Sequence, residues 1–152
     1  MSTQAASKRI TVHLDAPASL PTVIGNKTHL VQAMMNLVSN AFEATAERDG
    51  SDPREIRIRA EQRESGRIQI AVSDSGRGID PEIMPRIFDV FFTTKPKGLG
   101  IGLAIVRSIV ENHGGRLWAT HNPDHGATMI FELPIERHRA HSSPAFGAIY
   151  AR

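Results

Sequence analysis

Apolar and polar positions along this chain alternate with two different periods, and the changes of period mark its elements. Residues 9–14, RITVHL, alternate one by one and predict a strand. A proline-containing stretch, 16–25, follows, after which Asn26 or Thr28 can cap a helix. Leu30, Val31, Met34, Leu37, Val38, Ala41 and Phe42 recur at helical spacing and carry that helix to about Arg48. DGSDP at 49–53 breaks it. REIRIRA (54–60) and RIQIAVSD (67–74) return to a period of two, and the polar segment between them, with Gly66, predicts an antiparallel hairpin. Pro81 opens a predicted short helix reaching Phe88. Residues 91–102 contain Pro96 and three glycines and read as a loop. Helical spacing resumes over 103–112 and stops at Gly114 and Gly115. RLWAT (116–120) and ATMIFEL (127–133) form a second predicted hairpin around NPDHG.

Helices interleaved with antiparallel strand pairs predict an α/β (α+β) two-layer sandwich, a mixed and mainly antiparallel sheet with about three helices on one face. The expected domain covers 9–134, between a flexible N-terminus (1–8) and a flexible C-terminal tail (135–152).

Composition narrows the classes of function. The 152 residues are 40% hydrophobic, enough for one core, and with aromatics at 5% that core must be built from Ile, Leu, Val and Met. Eighteen basic against sixteen acidic residues leave +2, which gives no reason to expect nucleic acid or an anionic membrane as partner. The absence of cysteine excludes disulfides and thiolate metal sites and fits a cytoplasmic location. No apolar run approaches the ~20 residues that span a bilayer, and the first ten residues lack a signal-peptide core. Any membrane anchor of a parent protein is therefore expected outside this chain.

Three segments carry candidate chemistry. N-L-V-S-N-A-F-E at 36–43 lies on the first long helix, where Gln32, Asn36, Asn40, Glu43 and Glu47 form a polar stripe. Alone it reads as a solvated face. Yet asparagine is a mediocre helix former, and two of them four residues apart offer amide oxygens to a hard cation and NH2 groups to phosphate. Mg²⁺ takes one or two protein oxygens and completes its shell with phosphates and water. D-S-G-R-G-I at 74–79 follows a predicted strand and could be only a turn. Equally, the Asp74 carboxylate could accept a hydrogen bond from an exocyclic amine such as adenine's, while Gly76 and Gly78 let backbone approach a flat base. T-T-K-P-K-G-L-G-I-G-L at 93–103 runs into a helix, where backbone NH groups favour phosphate and Lys95 can add a point charge; the lesser alternative is a mobile surface loop. It is not a Walker A loop, which needs GxxxxGK[ST]. A dinucleotide fold with Asp124 as its acidic residue is disfavoured, because FFTTKPK is a poor strand.

In that order, the Asn box, D-x-G-x-G, a Phe-rich segment and G-x-G-x-G resemble the catalytic domain of histidine kinases. That domain shares its Bergerat-type nucleotide fold with the gyrase, mismatch-repair and chaperone ATPases. The resemblance covers roughly 9–134, and the segment 88–103 with VRSIVENHGGRLW is especially similar to oxygen- and dicarboxylate-sensing kinases. It implies ATP and Mg²⁺ as cofactors. Asn40 would be the metal ligand and Asn36 a phosphate or metal-shell contact. Asp74 would bind the adenine amine in a pocket shaped by Gly76, Gly78 and Ile79, with Thr128 in support. Phe88, Phe91 and Phe92 would form the Phe box. Thr94, Lys95, Gly98, Leu99, Gly100 and Gly102 would belong to a mobile ATP lid, with Lys95 reaching the phosphates and Leu103 opening the helix behind. Asn36 and Lys95 are the expected catalytic pair. Two departures stand out: Glu43 occupies a position that is basic in many relatives, and Asn26 one that is often Asp.

The ATPase relatives place a glutamate base where this chain has Asn36, which cannot accept a proton near neutral pH, so hydrolysis should be slow and the γ-phosphoryl held for another acceptor. The implied acceptor is a histidine on a separate dimerisation domain, with a response regulator reached indirectly. None of His13, His29, His113, His121, His125, His138 and His141 begins a His-Glu motif on a long helix. The isolated chain is therefore expected to be monomeric and not to autophosphorylate. An anti-sigma-type serine kinase and a degenerate docking module are the alternatives.

Overall fold

The computed structural model describes residues 9–95 and 98–136. The expected N-terminal extension, residues 137–152 of the tail, Pro96, Lys97, His138 and His141 lie outside them. The elements in chain order are β1 (Ile10–Asp15), α1 (Lys27–Ala46), β2 (Arg54–Arg63), β3 (Arg67–Asp74), a 3₁₀ turn (Met84–Arg86), α2 (Gly102–Asn112), β4 (Arg116–His121) and β5 (Ala127–Pro134).

The strands form one sheet in the order β1-β2-β3-β5-β4. The two hairpins, β2–β3 and β4–β5, are antiparallel, and β5 closes against β3 in the same sense. β1 runs parallel to β2, because α1 carries the chain back across one face of the sheet before β2 begins. This is the expected mixed, mainly antiparallel layer under helices, and it leaves no place for a parallel dinucleotide-binding unit around Asp124. Period two in the strands aims Ile56, Val72 and Phe131 at the helices, where Leu37, Val38 and Phe42 of α1 and Val106 and Val110 of α2 pack on them. Register also sets the site: Asp74 follows Val72 by two and so shares its helix-facing side, at the end of β3 opposite Ile56.

The Asn26 side chain caps α1, its Oδ1 accepting from the His29 N–H at 3.0 Å. The two helices are tied at both ends. Asn36 Nδ2 donates to the Gly102 carbonyl at 3.3 Å. At the other end His113 Nε2 accepts from the Asn26 N–H at 2.9 Å, and His113 Nδ1 lies 2.7 Å from the Ile109 carbonyl. A backbone N–H only donates, so the ring proton sits on Nδ1. Past β5 the backbone stays engaged, with the Glu136 N–H donating to the Thr22 carbonyl at 2.7 Å.

Three expectations are corrected. α1 ends at Ala46 rather than Arg48. Val31, counted on its apolar face, is 52% exposed on the flank. The helix expected over 81–88 shrinks to the 3₁₀ turn, since Pro85 has no N–H to donate back to residue 81 and constrains the residue before it. Among the described residues two α-helices and that turn therefore stand where about three helices were expected. No helix among the described residues is long and apolar enough to cross a membrane.

Candidate nucleotide site

Between α1 and the segment leading into α2 lies a cavity of about 900 Å³. Leu37, Ala41 and Ala44 of α1, Val72 of β3 and Met129 of β5 form its apolar wall, with Ile79, Ile83, Ile87 and Phe92 closing the side. Polar groups sit at its ends. Asp74 and Gly78 lie at one, Asn40 and Lys95 at the other, and Thr94, Gly98, Leu99, Gly100, Gly102 and Leu103 also line it.

Asp74 is held firmly. Its Oδ1 accepts from the Gly76 N–H at 2.9 Å and the Ala127 N–H at 3.4 Å. Burial pushes its carboxyl up from the ordinary value of 3.8, and these two hydrogen bonds pull it back in part. Among the described residues Oδ2 meets no protein donor. Gly76 is required by proximity: a Cβ there would stand 2.6 Å from the backbone of Ala44, so any side chain would push the loop off α1.

Behind Asp74 stands a network that the sequence reading did not anticipate. Asn122 Nδ2 donates to the Asp74 carbonyl at 2.8 Å and to Ser73 Oγ at 3.0 Å. Thr128 Oγ1 lies 2.5 Å from Asn122 Oδ1 and 3.0 Å from Ser73 Oγ. Thr128 therefore supports Asp74 through this network and is not itself among the lining residues. Gly126 presses on the same carbonyl, with φ +84° and a would-be Cβ only 2.0 Å from it. The one hint in the sequence was an Asn opening a turn, NPDHG, that contains a glycine.

At the far end Lys95 Nζ pairs with the Glu43 carboxylate and donates to Asn40 Oδ1 at 3.4 Å. An amide oxygen and a carboxylate thus converge on one cationic centre. Arg77, a second residue the motifs did not single out, spans the pocket mouth. Its Nη2 donates to Thr94 Oγ1 at 3.3 Å and its Nε lies 3.6 Å from Glu47 Oε2. Asn36 sits one turn before Asn40, bonded to Gly102 rather than lining the cavity. Of the Phe-rich segment, Phe92 lines the pocket under the Arg86 guanidinium, 4.7 Å from its ring centre. Phe91 is 76% exposed, its backbone in the left-handed region (φ 65°) where its N–H meets the Gly100 carbonyl at 2.8 Å.

A family model described as histidine kinase-, DNA gyrase B-, and HSP90-like ATPase matches residues 25–137. The sensor protein FixL of Bradyrhizobium diazoefficiens is 42% identical over 121 residues, 80% of this chain but 23% of FixL. The chain thus spans about a quarter of the length of such curated relatives. Full-length ShkA, solved in complex with AMPPNP, matches 92% of this chain and 28% of its own at a TM-score of 0.78 and 30% identity. The catalytic domain of histidine kinase ThkA is close in size to the present domain. It matches 88% of this chain and 84% of its own, at a TM-score of 0.76 and 32% identity. By family model, sequence and fold together, this chain belongs to the histidine kinase-, DNA gyrase B-, and HSP90-like ATPase family, as an ATP-binding catalytic domain of the sensor histidine kinase kind.

Proposed function

We propose that the chain binds ATP with Mg²⁺ in this cavity and donates the γ-phosphoryl group to a histidine on a separate dimerisation domain. The observation that carries this reading is one cavity with two unlike ends: a partly buried carboxylate, Asp74, at one, and Asn40 with Lys95 at the other. Asp74 Oδ2 accepts from the adenine amine, and the charge on the acceptor strengthens that bond. Ile79, Met129 and Val72 enclose the base, while Gly78 lets backbone come close to it. Lys95, Thr94 and the segment 98–102 face the phosphates.

Asn40 Oδ1 already accepts from the Lys95 ammonium, which fits a metal-binding oxygen. Among the described residues no group of three or more His, Asp or Glu could hold a metal, so Mg²⁺ would enter with the nucleotide's oxygens completing its shell. When bound it neutralises charge on the phosphates, the main requirement of phosphoryl transfer. Asn36, with Nδ2 bonded to Gly102 and off the cavity wall, cannot remove a proton from an attacking water. Transfer to an imidazole is therefore favoured over hydrolysis. A histidine-bearing dimerisation domain is the direct partner and a response regulator the later one. The isolated domain, as a monomer, keeps its phosphoryl donor waiting.

Calorimetric titration with an ATP analogue, with and without Mg²⁺, tests the site. Wild type should bind with Mg²⁺ dependence, and Asp74→Asn should lose about tenfold or more in affinity. No binding by wild type would defeat the proposal. For the acceptor, γ-labelled ATP with candidate helical domains should yield an acid-labile phosphoprotein. An acid-stable one would point to serine instead.

A further inference from the structure

Among the described residues both cations lining the pocket are already paired, and both partners come from one face of α1. Lys95 is held by Glu43 as well as by Asn40, and Arg77 lies 3.6 Å from Glu47. Glu43 and Glu47 are four residues apart, so they stand in line along the helix beside Asn40. Neither acidic residue is needed to bind adenine; Glu47 lines the cavity and holds Arg77, which also reaches Thr94, while Glu43 meets the cavity through Lys95.

We infer that Glu43 and Glu47 form an acidic clasp that makes this pocket select metal-complexed over metal-free nucleotide. The inference rests on the nucleotide reading of the cavity. A free triphosphate entering the pocket meets two carboxylates and two cations whose charge is already compensated, so it gains little. A metal-complexed triphosphate brings its own positive charge to Asn40 and Glu43, and Lys95 is released to the phosphate oxygens. The ion-pair side chains are between 36% and 53% exposed, so each pair is screened and its effect is modest.

The test is the affinity of the 152-residue chain for ATP and adenosine, each with Mg²⁺ and with EDTA, in wild type, E43Q, E47Q and the double variant. Each single substitution should tighten metal-free ATP binding about two- to fivefold, in keeping with screened pairs. The double variant should tighten it further, and the ratio of metal-free to Mg²⁺ dissociation constants should fall. Adenosine, which carries no phosphate, should bind all four proteins alike, and E43D should behave as wild type. An unchanged ratio, or an equal change in adenosine affinity, would overturn the clasp while leaving the nucleotide site intact. Failure of wild type to bind either ligand would overturn the nucleotide reading and the clasp with it.

Discussion

At the scale of single residues, the buried charge of Asp74 weighs on stability. Burial holds its folded pKa above the ordinary 3.8 of the unfolded chain. Between those two values the folded state binds more protons than the unfolded one, so stability falls as pH rises through the folded pKa. Ionised Asp74 thus costs stability at neutral pH, and the cost vanishes below the unfolded value. Asp74→Asn keeps an oxygen for the Gly76 and Ala127 N–H groups and loses the buried charge. It should therefore unfold at a higher urea concentration than wild type at pH 7, with the gap closing as pH is lowered toward 3.8. A gap that does not move with pH, or a less stable variant, would show that desolvation is not the controlling term. That Asp74, Asn40 and Lys95 would come together was legible in the sequence, because each lies in a motif whose spacing has a chemical reason, and all three line one cavity. Arg77, Asn122 and the ion pairs of Glu43 and Glu47 were not, since their roles come from residues between 6 and 52 positions away that the fold brings together.

Among the elements, α1 and α2 both contribute to the cavity wall, and side-chain hydrogen bonds tie them near each end of α2. His113 is the tie at the end remote from the glycine loop: it joins the C-terminus of α2 to the first N–H before α1. His113→Ala removes both ring hydrogen bonds and should cost about 1–2 kcal/mol, since a typical intramolecular hydrogen bond contributes ~1 kcal/mol net. Urea unfolding followed by far-UV circular dichroism measures it, and a midpoint equal to wild type would mean the tie is idle. The periods of two and 3.6 made every strand and both helices readable, although β1 buries only Ile10 of its apolar alternation and leaves Val12 and Leu14 exposed. The 3₁₀ turn was misread where Pro81 suggested the start of a helix reaching Phe88, which Pro85 does not permit. The parallel pairing of β1 was open as well: strand pattern says which face is buried but not which neighbour a strand finds.

Over the whole molecule, cavity and core share their walls. Leu37, Ala41 and Val72 line the pocket and also belong to the single buried cluster under the sheet. A ligand filling the cavity therefore acts on the same packing that holds the domain together, and there is no separate part of the described fold to melt first. At a free nucleotide concentration of about 100 times the dissociation constant, binding to the native state alone should add about 2.7 kcal/mol. For a chain of this length that is a rise in Tm of roughly 5–10 °C. Calorimetry should show one transition both with and without ATP and Mg²⁺, displaced as a whole by the ligand. Two transitions, with only one responding to nucleotide, would mean that the pocket and the sheet core are separable, contrary to the walls they share.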